Sequence, residues 1–125
     1  PRTESLKDCM ERTIPYWIHS IEREAIAQGK SVLVASSENA IRGLLMHLFA
    51  IPPERISEIE IPTGLPLLYD TTSNCLRLLE GEPSDHNFGK GGAELLFNRG
   101  GAAVAAPTEA VVQEESTPRG AMHLR

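Results

Sequence analysis

The sequence is short of the residues from which metal, redox and nucleic-acid sites are commonly built. Its two cysteines, Cys9 and Cys75, lie far apart and match neither a metal pair nor a redox motif, so both read as reduced thiols. The four histidines, His19, His47, His86 and His123, are equally scattered, and we expect no metal site. Basic charge is also scarce: 12 Lys and Arg against 17 Asp and Glu leave a net charge of −5. Without a basic stripe to neutralise phosphates in series, nucleic acid and anionic membranes are excluded as expected partners, whereas a small anion needs only a local pocket. No apolar run approaches the ~20 residues needed to span a bilayer, and no charged-then-apolar leader opens the chain. A soluble chain is therefore expected. It begins at Pro1 and not at Met, from which we expect further residues upstream.

What is present is enough for a modest core. The 125 residues are 41% hydrophobic, which bounds the chain to one domain or a piece of one. The most informative stretch runs from Ser31 to Gly43. The aliphatic run Val32 to Ala35 has the pattern of a strand buried on both faces, and it breaks into Ser36-Ser37-Glu38-Asn39 before a helical period resumes. A strand, a tight turn and a helix N-terminus follow from that pattern. The free N–H groups and positive dipole end of such a helix suit phosphate or carboxylate, so a site is expected here first.

Upstream, Ser5 with Asp8 three residues later fits a capping box. Apolar residues at three-to-four spacing then predict one amphipathic helix from Ser5 to Gln28, with a kink near Glu11 where Pro15 removes a donor. Trp17 reads as core, not as a binding platform, and Gly29 as the helix stop. Downstream, Ile41, Leu44, Leu45, Leu48 and Phe49 form a second stripe, ended by Pro52-Pro53 and expected to pack on the sheet. Residues 53–57 suit one more helical turn and 58–61 a short half-exposed strand. Ile61-Pro-Thr-Gly64 reads as a turn, and 65–69 with 75–79 as an antiparallel hairpin. Beyond Gly81 the composition shifts to Gly, Pro, Ala, Ser and charge. We divide the chain into 1–81, an extension 82–97 in which Leu95-Leu96-Phe97 can dock on the parent domain or serve as a linear motif, and a flexible tail 98–125.

Several of these stretches together resemble the cofactor-dependent phosphoglycerate mutases. Ser36-Ser37-Glu38-Asn39-Ala40-Ile41-Arg42 is similar to that family's second catalytic segment, Ala-His-Gly-Asn-Ser-Leu-Arg, which also follows a strand and opens a helix. Glu4-Ser-Leu6, Ile14-Pro-Tyr-Trp17 and Ile61-Pro-Thr-Gly-Leu-Pro-Leu-Leu-Tyr69 agree in order and spacing. The resemblance runs from about Thr3 to about Leu79, the C-terminal part of a family member. It implies an α/β fold with a mostly parallel sheet flanked by helices. It further implies a 2,3-bisphosphoglycerate cofactor and no metal, interconversion of 3- and 2-phosphoglycerate, a phosphorylated three-carbon acid as substrate, and an oligomer. The Ser-Ser-Glu-Asn variant is closer to plant and algal branches, which leaves cytoplasm and plastid both open.

The departures from the family pattern matter as much. No histidine here stands between Arg and Gly, so the family's phosphorylated nucleophile is absent from this chain. The family's second histidine is replaced by Ser37 and its glycine by Glu38, while Asn39 and Arg42 match in place. Losing one positioned donor to the transferring phosphoryl group costs ~3 kcal/mol, roughly a hundredfold in rate. Ser37, Glu38, Asn39 and Arg42 are thus candidate substrate-binding residues with no confirmed catalytic residue among them. Each has a plainer reading: Ser36 or Ser37 as N-cap, Glu38 as a favourable first-turn acid, Arg42 as half of a helix-surface ion pair. The chain alone is expected to be inactive and to be completed by a missing N-terminal half or a partner chain. A non-catalytic binding or scaffold module and a phosphatase of the same superfamily are the alternatives.

Overall fold

The computed structural model describes residues 3–97; the tail 98–125 lies outside the described residues. Helix α1 spans Leu6–Tyr16 and begins as the capping pattern requires. Ser5 accepts from the Asp8 N–H at 3.2 Å, and the Asp8 carboxylate accepts from the Ser5 N–H at 3.0 Å. The single helix expected over Ser5–Gln28 is instead three pieces. α1 runs without interruption past Glu11, and the winding changes two residues after Pro15, where Trp17–Glu22 form a π turn. A 3-10 turn, Ile26–Gln28, follows. Proline cannot donate to the carbonyl four residues back, and the i→i−5 bond of Arg23 N–H to Ile18 C=O shows the ladder resuming one residue out of step. Gly29 stops the helix at φ 76°, with the Lys30 N–H returning to the Ala25 carbonyl.

The segment 31–37 corrects the expectation most directly. It carries no regular structure, and Leu33 is 94% exposed with Val34 at 39%. A buried strand requires hydrogen-bonded neighbours on its edges, and the described residues place none beside it. Helix α2, Glu38–Leu48, follows directly. It packs against α1 and not on a parallel sheet. The approach is close at Gly43, where a Cβ would meet Met10 Cγ at 2.6 Å. Its other apolar positions, Leu45, Met46 and Leu48, join Phe49 in the core.

A 3-10 turn, Pro53–Glu58, has proline at its start as its sequence suggests. Residues 58–61 form no strand, although Ile59 and Ile61 do turn inward while Glu60 faces out. They lie against the loop before the last helix, with the Glu60 N–H donating to the Phe88 carbonyl at 2.7 Å. Strands β1, Leu67–Asp70, and β2, Cys75–Leu78, make the expected antiparallel hairpin, pairing Tyr69 with Leu76. Among the described residues this is the one sheet, and no parallel pair occurs in it. Its connection is fixed by Asp70, which accepts from the Thr72 N–H and the Ser73 hydroxyl, and by Asn74 at φ 50°. Phe49 meets Tyr69 edge-on at 5.8 Å, joining α2 to the hairpin. Helix α3, Gly92–Phe97, closes the core: Leu96 is fully buried and Phe97 lies 4.9 Å from Phe88. The molecule is thus a mixed helix-and-strand fold with one core shared by α1, α2, the hairpin and α3.

Candidate functional site

Ser37, Glu38 and Asn39 lie at the start of α2, and Arg42 one turn further along it. Ser37 is the N-cap at φ −71° and ψ 158°, its hydroxyl accepting from the Ala40 N–H at 3.4 Å. Its role here is the plainer one foreseen from sequence. Glu38 and Arg42, one turn apart, form an ion pair at 2.6 Å. Arg42 Nε is buried with no hydrogen-bond partner among the described residues. Asn39 is exposed on the same turn. The cap and the first intrahelical bond occupy the Ala40 and Ile41 N–H groups, so the Glu38 and Asn39 N–H groups are the ones the helix itself leaves without a partner.

Those donors suit a single oxyanion. The turn offers two backbone N–H groups, the Asn39 amide and the favourable end of a helix dipole. Against them stands the Glu38 carboxylate, which engages Arg42, the cation one turn further along. A bisphosphate of several negative charges needs more than neutral donors and an already paired guanidinium. The described residues therefore do not fit 2,3-bisphosphoglycerate unaided, and no step through it is derived from them. Among them there is also no group of three His, Cys, Asp or Glu side chains arranged to hold a metal ion.

Beside this turn lies a groove of about 210 Å³. α1 contributes Thr13 and Ile14, the π turn Trp17 and Ile21, the segment before α2 Val34 to Ser36, and α2 itself Ala40, Ile41 and Leu44. The lining is apolar apart from a few hydroxyls, so it suits aliphatic side chains and not phosphate. Sequence reading missed this groove because it took Val34 and Ala35 for an interior strand. It also missed Glu22, a buried acid whose carboxyl accepts from Trp17 Nε1–H at 2.6 Å. An acid five residues after a tryptophan is a signal only if the winding is known to be π. Burial pushes the Glu22 carboxyl above the usual range, the Trp17 bond and Arg23 drawing it partly back. Burial likewise pushes the His47 imidazole down.

Comparison with known proteins bears on the whole stretch. No protein-family model matches the chain. Among curated proteins it is 38% identical over 101 residues to a protein of Nocardia farcinica, covering 81% of this chain and 41% of that one. It is 41% identical over 102 residues to a protein of Rhodococcus opacus, covering 81% and 40%, and 47% identical over 74 residues to one of an Arthrobacter species, covering 59% and 29%. Each bears the name 2,3-bisphosphoglycerate-dependent phosphoglycerate mutase. The chain resembles the phosphoglycerate mutases. The mutase-like stretch is longer than the residues from Thr3 to Leu79 that first carried the resemblance. The chain spans about two fifths of the length of the first of these mutases. No helix of the described residues is long and apolar enough to cross a membrane.

Proposed function

We propose that these residues are the C-terminal part of a phosphoglycerate mutase whose complete form interconverts 3- and 2-phosphoglycerate with 2,3-bisphosphoglycerate as cofactor. The observation that carries the reading is the name shared by relatives at 38% to 47% identity. The complete form has a mostly parallel sheet, in which residues 32–35 pair with strands from outside this chain. Support for that pairing comes from the exposure of Leu33 and Val34 beside an apolar groove. The phosphohistidine, the general acid and further cations for the phosphates come from the same missing residues. Within this chain the Glu38 and Asn39 N–H groups, and the Asn39 amide, orient one oxyanion of the three-carbon acid. The complete protein is an oligomer, in the cytoplasm or a plastid.

A second reading, a non-catalytic module on the same fold, is favoured by two features of this turn. The Glu38–Arg42 pair occupies the cation that would otherwise meet a phosphate, and Ser37 is spent on capping. Both readings meet the same assay. The 125-residue chain, the complete polypeptide and a Ser37→Ala, Asn39→Ala control are incubated with 3-phosphoglycerate and 2,3-bisphosphoglycerate under a coupled readout. The complete polypeptide is expected to turn over and the chain alone to remain at the control level. A silent complete polypeptide would leave the non-catalytic reading, and turnover by the chain alone would overturn the requirement for missing residues.

A further inference from the structure

Trp17 and Glu22 are the first and last residues of the π turn, and both are buried, Glu22 to within 2%. In α winding, side chains five residues apart stand about 140° apart round the axis and do not meet. The wider turn brings them together, the indole Nε1–H donating to Oε1 at 2.6 Å. The second carboxyl oxygen, Oε2, is buried with no hydrogen-bond partner among the described residues. As a carboxylate, Glu22 would keep one anionic oxygen dehydrated and unpaired; as the neutral acid it carries no charge to solvate. Trp17 is at the same time a wall of the apolar groove.

The surrounding charges do little to hold the anion. Arg23, its exposed neighbour in sequence, is the charged group acting on it. His47, in the last turn of α2, has its own proton affinity lowered by burial alone. Among the described residues Glu22 takes part in no ion pair; Glu38 and Glu58 are matched to arginines instead. The indole bond favours the anion and burial opposes it, and burial is the larger effect.

We propose that the Trp17–Glu22 pair is a pH-sensitive latch on the groove. With Glu22 protonated the π turn is closed and the indole is held as a groove wall. When the proton leaves to solvent, the carboxylate turns toward water, the π turn loosens and the indole is released. The linkage has a definite sign. A carboxyl raised above its ordinary value contributes stability that is complete below the unfolded value of 4.5 and is lost as pH rises through the folded value. Between the two, the unfolded chain has lost a proton that the folded chain retains, so unfolding becomes more favourable by up to about tenfold per pH unit. The inference stands on this geometry and rests on the reading above only in taking the chain as part of a longer polypeptide; its readout, Trp17 emission, is separate from mutase turnover.

The test uses the complete polypeptide, with Trp17 emission isolated as the difference between it and a Trp17→Phe variant. Between about pH 4 and about pH 8, that emission is expected to shift to the red with a one-proton midpoint above the ordinary carboxylate value, and Glu22→Gln is expected to abolish the shift. A flat Trp17 emission, or a transition that survives in Glu22→Gln, overturns the latch. Should the glutamine variant fail to fold, the indole N–H proton resonance of the unsubstituted protein serves in its place. A single titration of that resonance above the ordinary carboxylate range supports the latch, and a resonance indifferent to pH overturns it.

Discussion

Ser37 shows how one residue can look like a lost catalyst and act as a cap. Its capping role was legible because N-cap chemistry is local: a hydroxyl, an extended backbone and an N–H three residues on suffice. Glu38 and Arg42 were legible for the same reason, since side chains four apart on a helix meet. Glu22 was not, because its partner is five residues away and meets it only through a non-standard turn. Ser37→His with Glu38→Gly returns a donor to the turn and frees Arg42 from its ion pair. In the complete polypeptide, we expect mutase turnover to rise by about tenfold or more. Unchanged or reduced turnover, with circular dichroism intact, would mark Ser-Glu as an adapted pair of residues.

At the level of elements, periodic segments with clear stops were readable and their interruptions were not. The hairpin matched because turn chemistry at Asp70 and Asn74 is encoded where it acts. The strand over 58–61 failed because alternation reports which side chains face inward, and says nothing of whether a neighbouring backbone forms a ladder. What lies beside 58–61 is the approach to α3, and Gly92 makes that approach possible. A Cβ at Gly92 would collide with the Glu58 carbonyl oxygen, which belongs to the main chain and has no rotamer to retreat into. Gly92→Ala is therefore expected to destabilise by about 2 kcal/mol or more, against the gain of up to ~1 kcal/mol that alanine brings to an unobstructed helix. Urea denaturation, compared with Gly64→Ala in the exposed turn at φ 74°, measures it. The expected order is a larger loss at 92 than at 64, and the reverse order would refute the collision.

For the whole molecule, the decisive observation is where apolar side chains fail to find cover. Residues 32–35 read as interior from sequence because continuous aliphatic runs are buried in parallel sheets, yet burial depends on neighbours that these residues do not encode. Their amides are expected to exchange with solvent within seconds in the 125-residue chain and to be protected by at least about a hundredfold in the complete polypeptide, as ladder hydrogen bonds are. Strong protection at Val32 to Ala35 in a monodisperse 125-residue monomer would show the chain to be sufficient by itself. The π turn, finally, has a consequence for which lengths of this polypeptide are viable. A turn closed by i→i−5 bonds contains one residue more than the α turn that would bridge the same ends. Removing the exposed His19 should therefore relax Trp17–Glu22 to ordinary winding while the flanking turns keep their places, and the indole and carboxyl, then four apart, should still meet. Deleting Thr13 from α1 has no such spare residue to absorb it and rotates everything before it by about 100°. Thermal unfolding should thus rank the two deletions far apart, with the loss of His19 the milder, making this helix one that tolerates a change of length at a single place.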